Sequence, residues 1–151
     1  MNELIVREAT SGDLPTIAAL LADDGLGRGR EADDPMVYQA AFDRMSAQSQ
    51  NVYLVADSAS EVLGCLQYTV IHGLSRAGAS RAQIEGVRVA ANARGKKIGE
   101  TMMQAAIERA RSDGCKLIQF TTDQRRVDAR RFYERLGFEA SHFGMKMSLE
   151  T

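Results

Sequence analysis

Three cations and two glycines are concentrated between Arg94 and Gly99, after a β-branched run and before a strongly helical sequence. This order predicts a strand, a short turn and the first turn of a helix. The first amides of a helix have no acceptor within the helix, and the helix dipole adds partial positive charge there, so the position suits an anion. Arg94, Lys96 and Lys97 add full charges. We predict a pyrophosphate cradle; the residues alone leave open a plain turn with solvated cations.

Two common nucleotide-binding loops do not fit this segment. A P-loop requires Gly-x-x-x-x-Gly-Lys-Ser/Thr, whereas Gly95 and Gly99 are separated by three residues and Glu100 follows. The dinucleotide fingerprint Gly-x-Gly-x-x-Gly is also absent from the segment. The cradle is therefore predicted to hold a pyrophosphate of another kind of ligand.

A second set of residues that could take part in catalysis lies in the last predicted helix. Ala129, Phe132, Tyr133 and Leu136 recur at the i, i+3, i+4 and i+7 positions of one face, and Gly137-Phe138 follows. By itself, an aromatic pair on an apolar helix face is typical of core packing.

Together the two segments resemble the motifs of the GCN5-related N-acetyltransferases, abbreviated GNAT. Arg94 to Gly99 is similar to the acyl-CoA loop Gln/Arg-x-x-Gly-x-Gly/Ala, and Ala129 to Phe138 is similar to Ala-x-x-Phe-Tyr-x-x-x-Gly-Phe. Lys97 occupies the place of the middle glycine, so we expect ordinary helical torsions at Lys97, which a non-glycine residue adopts without strain.

The resemblance implies transfer of an acetyl group from acetyl-CoA directly to a primary amine of a small molecule. It implies that Tyr133 is the general acid that protonates the departing thiolate, since a phenol with a pKa near 10 is protonated at neutral pH. Glu85 matches a position that serves as general base; the alternative is a Glu85 that only pairs with Arg88 or a loop arginine. The resemblance implies contacts with acetyl-CoA from Val87, Arg88, Val89, Arg94, Gly95, Lys96, Lys97, Ile98, Gly99, Glu100, Arg126 and Phe132.

The acceptor amine is less defined. Residues 126–133 with Ser141-His142-Phe143 are similar to the aminoalkylphosphonate acetyltransferases of the family, and Arg76, Arg81 and His142 are candidate substrate residues. Arginines would favour an anionic acceptor. The acidic segment from Asp23 to Pro35 would instead favour a cationic amine, or it is a solvated loop.

The elements that must position these residues follow from hydrophobic periodicity. Helices are predicted at about 14–22, Met36–Met45, Ile98–Arg111 and Arg126–Leu136. Strands are predicted at Leu4–Ala9, Asn51–Ala56, Val62–Ile71, Ala82–Ala90, Cys115–Thr122 as a buried central strand, 138–140 and 143–149. With the resemblance, this order predicts an α/β fold, a single-domain GNAT-type sandwich over residues 1–151 with a mixed, mostly antiparallel twisted sheet of about seven strands flanked by four helices.

Composition limits the partners. A net charge of −1 gives no general attraction to nucleic acid or to anionic membranes, and no run is long enough to cross a bilayer. Cys65 and Cys115 lack disulfide or metal-ligand spacing, and His72 and His142 also lack it, so we expect core thiols, no metal and a cytoplasmic protein. A homodimer is left open. The alternatives to a small-molecule enzyme are a non-catalytic acyl-CoA sensor and a peptide or protein N-acetyltransferase; Tyr133 favours an enzyme.

Overall fold

The computed structural model describes residues 3–23, 29–59 and 61–150. The chain forms two compact units, Met1–Gln119 and Phe120–Thr151. Residues 24–28 of the predicted acidic loop lie outside the described residues. The extent of a single acetyltransferase domain over 1–151 stays a prediction.

The first unit contains a five-stranded sheet with the order β1-β2-β3-β4-β5. Its strands are β1 Leu4–Glu8, β2 Asn51–Ser58, β3 Glu61–Ile71, β4 Arg81–Val89 and β5 Leu117–Gln119. Neighbouring strands are antiparallel except β4 and β5, which are parallel. The helices of this unit are α1 Leu14–Ala22, α2 Pro35–Ser46, the short α3 Ser75–Gly78 and α4 Ile98–Ser112, with 3-10 turns at Ser11–Asp13 and Ala91–Ala93.

Alternation along the strands gives the sheet two buried faces. One face packs against α1, where Ile17 and Leu20 form a core cluster with Val55 and Cys65. The other face packs against α4, whose buried residues are Ile98, Met102, Met103, Ala106 and Ala110. The end of α4 that begins at Ile98 is therefore anchored to the sheet.

Gly64 permits the close approach of α4 to the sheet. A Cβ atom at this position would lie 2.8 Å from Met102 Cε and 3.0 Å from the Arg88 carbonyl oxygen. The register of β2 and β3 also shifts next to Gly64, between Ala56 and Asp57. A glycine inside a strand often marks a bulge or close packing, and the strand at Gly64 shows both.

An ion cluster fixes the start of α1 to the sheet. The Arg7 guanidinium donates to both carboxylate oxygens of Asp13 at 2.8 and 3.0 Å and to Asp57 at 3.0 Å. Asp13 also accepts the Thr10 amide at 2.7 Å, as in a capping box. The hydrogen bond from Arg7 is the main reason that the pKa of Asp13 falls to about 2.

The second unit contains α5, Val127–Arg135, and residues 137–150, to which no helix or strand is assigned. The four predicted helices are confirmed as α1, α2, α4 and α5. The predicted strands at 138–140 and 143–149 are wrong, because no ladder partner pairs with them within the described residues. The prediction of a buried central strand at Cys115–Thr122 is also wrong: β5 has three half-buried residues and is the last strand of the sheet. The sheet therefore has five strands instead of about seven.

None of the helices in the described ranges is both long and apolar enough to cross a bilayer.

Candidate active site

The outer edge of β4 loses its neighbour halfway along the strand. β5 pairs only with Arg81, Ala82 and Gln83, whereas β4 continues to Val89. Beyond Gln83, no strand of the described part of the chain pairs with this edge. An extended amide-containing arm such as pantetheine could hydrogen-bond to such an edge in the manner of an added strand.

A bulge changes the direction of β4 at the same place. Glu85 pairs with Gln67, but the next pairs join Arg88 to Cys65, so β4 has one residue more than β3 in this interval. Gly86 has a φ of 61°, in the left-handed region that glycine adopts without strain. The bulge therefore takes the backbone of Val87 out of the regular ladder, and the Val87 carbonyl accepts a hydrogen bond from Arg88 Nη1 at 2.9 Å.

The turn after β4 leads directly into α4. Arg94, Gly95, Lys96 and Lys97 are all exposed, and α4 begins at Ile98 without a capping side chain. The first intrahelical bond runs from the Thr101 amide to the Lys97 carbonyl at 3.1 Å. The amides of Ile98, Gly99 and Glu100 precede it, so the first turn and its cations fit a pyrophosphate.

The expected backbone at Lys97 is wrong. Lys97 has φ 61° and ψ 25°, which is the left-handed conformation and not the right-handed helical one. Lys97 thus keeps the torsions that a glycine would favour, because the turn must reverse before α4 begins.

A polar row crosses the α1 face of the sheet beside the bulge. Tyr53 of β2 pairs with Gln67 of β3, which pairs with Glu85 of β4, so the three side chains point to the same side. Cys65 and Arg88 form the next pair on this side. Glu85, the predicted base, is exposed at the end of the row.

Burial and the charged groups around this row shift the pKa of the Tyr53 phenol. Burial is the main cause that raises the pKa of Tyr53, then Cys65, Glu85 and Glu31 raise it further, and Arg88 lowers it. Its hydroxyl also lies 3.3 Å from where a Cβ of Gly86 would stand. Charges of both signs therefore act on one buried phenol next to the bulge. Sequence reasoning missed Tyr53; β2 alternation places it on the α1 face but does not reveal its neighbours across the sheet.

Glu31 is held by α2. The Tyr38 hydroxyl donates to the Glu31 carboxylate at 2.8 Å and accepts the Ala32 amide at 3.0 Å. At the start of α2, Asp34 accepts the Met36 amide at 2.9 Å, and Pro35 occupies the first turn. The described part of the acidic segment thus supplies one carboxylate that reaches Tyr53 electrostatically.

In the second unit, Tyr133 is the centre of an aromatic cluster. Its ring centroid lies 4.4 Å from Phe120, 5.1 Å from Phe132 and 6.3 Å from Phe138, all edge to face. Arg135 lies over the Phe132 ring at 6.0 Å. These contacts fix the ring of the predicted general acid on α5.

Arg126 is the residue that precedes α5. Its amide donates to the Asp123 carbonyl at 2.9 Å, and the Asp123 carboxylate is held by Arg125 at 2.7 and 2.9 Å. The hydrogen bond from Arg125 lowers the pKa of Asp123 below its usual range. Arg126 and Phe132 belong to the second unit, whereas the other predicted acetyl-CoA residues belong to the first.

The candidate substrate residues are divided between the two units, with Arg76 and Arg81 in the first and His142 in the second. Arg81 donates to Gln119 at 3.0 Å and lies four residues before Glu85, about 13 Å along the strand. Arg76 is exposed in α3. His142 is exposed in the second unit, where its Nδ1 lies 2.7 Å from Ser141 Oγ.

Two thiols and one cavity complete the description of the first unit. Both cysteines are free; burial raises the pKa of Cys65 to about 12, and Cys115 is half-buried. A cavity of about 240 Å³ between α2 and β2 contains Tyr53 in its lining but none of the predicted site residues. Among the described residues, no cluster of three histidine, cysteine, aspartate or glutamate side chains could hold a metal ion.

The first unit combines a mixed sheet with a bulged strand, β4, which is paired with β5 over only part of its length and is followed by a turn with three cations and a helix. This combination is typical of acyl-CoA-dependent acyltransferases, the class indicated by the sequence motifs. The sequence model of the acetyltransferase (GNAT) family matches residues 16–138. The chain belongs to this family and is an acyltransferase enzyme.

Three known proteins are similar over nearly the whole chain. The aminoalkylphosphonate N-acetyltransferase of Salmonella typhimurium is 31% identical over 95% of this chain and 90% of its own. The L-methionine sulfoximine/L-methionine sulfone acetyltransferase of Pseudomonas aeruginosa is 31% identical over 90% of this chain and 80% of its own. A crystal structure described as a transcriptional regulator from Bacillus halodurans is 47% identical, with a TM-score of 0.94, and covers 97% of this chain and 100% of its own.

Proposed function

We propose that this protein transfers the acetyl group of acetyl-CoA directly to the primary amine of a small zwitterionic or strongly polar molecule. The observation that carries the proposal is the edge of β4 beyond Gln83, which no strand of the described residues pairs with. The bulge at Gly86 lies on this edge beside the polar row, and the turn after β4 leads into α4. This edge can hold an acyl-CoA arm beside Glu85 while the start of α4 holds its pyrophosphate.

Each chemical step has a residue suited to it. Glu85 removes a proton from the acceptor ammonium, directly or through water, so that the neutral amine attacks the thioester carbonyl. A backbone amide of the bulged strand donates to the carbonyl oxygen as it gains negative charge. When the carbon–sulfur bond breaks, Tyr133 gives its proton to the thiolate. The attacking nitrogen loses its extra proton to solvent, and solvent returns one proton to Tyr133, so the products are the neutral amide and the thiol.

The charges at Tyr53 support a zwitterionic acceptor. Glu31 and Glu85 favour a cationic amine, and Arg88 favours an anionic or oxo group nearby. The named substrates of the two 31% identical relatives are of this kind, since an aminoalkylphosphonate, a sulfoximine and a sulfone each carry such a group near an amine. Arg88 replaces Arg76 and Arg81 as the cation we expect to face the acceptor.

Release of free thiol from acetyl-CoA tests the proposal. The panel contains aminoalkylphosphonates, methionine sulfone, ordinary amino acids, polyamines and peptides with free N-termini. We expect turnover with the first two classes above that with polyamines and peptides. Tight acetyl-CoA binding without turnover of any amine would refute the enzymatic proposal and favour the acyl-CoA sensor, an alternative consistent with the description of the Bacillus halodurans protein.

The role of Tyr133 is tested by Tyr133→Phe, with Tyr68→Phe as the matched control. Loss of the general acid should lower kcat by roughly a hundredfold, with little change in the Kd for acetyl-CoA. Tyr68 is buried and donates to Asp113 at 2.8 Å, so Tyr68→Phe should lower stability and leave kcat unchanged. Equal kcat in Tyr133→Phe and the wild type would remove Tyr133 from the chemistry.

A further inference from the structure

The Tyr53 side chain crosses β3 and brings its hydroxyl to the bulge of β4. Tyr53 lies on β2, two strands away from Gly86, yet its hydroxyl lies 3.3 Å from the place of a Cβ atom on Gly86. Adjacent strands are about 4.8 Å apart, so the phenol leans over β3 to reach this position. Because Gly86 directly follows Glu85, the hydroxyl lies beside the residue that we propose as the base.

The ring of Tyr53 is fixed by packing, whereas its hydroxyl is not used within the described part of the chain. The half-buried ring packs against the core cluster that contains Ile17 and Val55, and the Tyr53 carbonyl accepts the Ala9 amide at 2.9 Å. Among the described residues, the hydroxyl neither donates nor accepts a hydrogen bond. A phenol withdrawn from water ordinarily has a partner for its hydroxyl, so this hydroxyl is suited to a ligand.

The surroundings of the hydroxyl keep it a hydrogen-bond donor. Burial, then Cys65, Glu85 and Glu31 raise the pKa of Tyr53, and Arg88 lowers it. The phenol is therefore protonated at neutral pH and can donate to an oxygen atom. Arg88 lies on the same side of the sheet, so its positive charge favours a ligand oxygen at this place.

We propose that the Tyr53 hydroxyl determines acceptor specificity by donating a hydrogen bond to an acidic or sulfonyl oxygen of the acceptor, while Glu85 faces the acceptor amine. This inference rests on the proposed acetyl transfer to a small amine, and it identifies the group that selects among such amines. A site built to hydrogen-bond a polar group of its substrate discriminates against an analogue that lacks the group.

Acceptor kinetics of Tyr53→Phe with a matched pair of amines test this role. Aminoethylphosphonate and propylamine both carry a primary amine on a short chain, and only the first has phosphonate oxygens. We expect Tyr53→Phe to raise the KM for aminoethylphosphonate roughly tenfold, with a smaller change in kcat, and to change kcat/KM for propylamine less than about twofold. An equal loss with both amines, or an unchanged KM for aminoethylphosphonate, would overturn the proposal.

Calorimetric titration in the presence of CoA, which carries no acetyl group, measures acceptor binding without turnover. The wild type should bind aminoethylphosphonate roughly tenfold more tightly than Tyr53→Phe does. If this difference is found but the wild type acetylates no amine, the proposed function is refuted and the binding role of Tyr53 stands. Acetyl transfer by the wild type, with equal affinities of the two proteins for aminoethylphosphonate, would overturn the role of Tyr53 alone. Failure of the wild type to bind aminoethylphosphonate would also overturn that role.

Thermal unfolding separates this role from a structural one. Because the Tyr53 hydroxyl makes no hydrogen bond among the described residues, Tyr53→Phe should melt at or slightly above the wild-type Tm. Tyr68→Phe removes a hydroxyl that donates to Asp113 at 2.8 Å, so it should lower Tm and leave the KM for aminoethylphosphonate unchanged. A Tm for Tyr53→Phe as low as that of Tyr68→Phe would mean that the Tyr53 hydroxyl is bonded within the chain, and it would overturn the proposal.

Discussion

Replacing Lys97 by glycine removes a side chain from the left-handed region and a cation from the predicted pyrophosphate cradle. A non-glycine residue at a φ of 61° costs about 1–2 kcal/mol relative to glycine. Glycine loses about 0.5–1 kcal/mol more in backbone entropy on folding. The difference predicts a net gain of about 0.5–1 kcal/mol in the free energy of unfolding, or about 2 °C in Tm for a chain of this size.

Lys97→Ala separates the effect of backbone strain on stability from the effect of the lysine charge on CoA binding. Alanine keeps the left-handed strain but has no cation, so its Tm should stay near that of the wild type. Because Lys97 is exposed, its attraction for a pyrophosphate should be worth less than about 1 kcal/mol. Both variants should therefore bind CoA roughly threefold more weakly at low salt, and the difference should shrink as salt is added.

Thermal unfolding and calorimetric titration with CoA measure the two effects independently. The expected order of Tm is Lys97→Gly above wild type and Lys97→Ala, whereas the expected CoA affinity is highest for the wild type. A Lys97→Gly protein that melts below Lys97→Ala would refute the strain argument. Unchanged CoA affinity in both variants would refute the contribution of the Lys97 charge and leave the cradle to the backbone amides.

Two further changes test the packing and the ion cluster of the first unit. Gly64→Ala forces a methyl group against Met102 and the Arg88 carbonyl, so we expect a loss of about 1–3 kcal/mol in urea unfolding; wild-type stability would contradict the close approach. Because Arg7 lowers the pKa of Asp13 to about 2, the carboxylate contributes about 2 kcal/mol that is fully present above its unfolded pKa near 3.9 and is lost as pH falls toward 2. Asp13→Asn should remove that part of the pH dependence of the free energy of unfolding, and an unchanged acid profile would contradict it.

The parts of the fold that sequence could predict are those set by local pattern. Apolar residues at helical spacing predicted α1, α2, α4 and α5. The two motifs likewise predicted the family, which is confirmed by the match over residues 16–138. These signals lie within short windows and do not depend on which strand becomes the neighbour of which.

The errors concern features that depend on partners or on backbone torsions. The apolar residues from Phe143 to Leu149 predicted a strand, but a strand also needs a ladder partner, which a sequence pattern does not supply. Lys97 shows the other kind of error. A lysine ordinarily avoids positive φ, so its residue type predicted right-handed helical torsions. The turn between Gly95 and Ile98 instead required left-handed torsions at Lys97.

The polar row that we propose as the acceptor site was not predictable for the same reason. Tyr53 is more than thirty residues from Glu85 in sequence, and only the registers of β2, β3 and β4 place them in one row. A regular ladder without the bulge would put Arg88 on the opposite side of the sheet from Glu85, because residues three apart alternate. The extra residue at Gly86 brings both charges to the side of Tyr53. One inserted residue thus places a carboxylate and a guanidinium of one strand on the same side of the sheet.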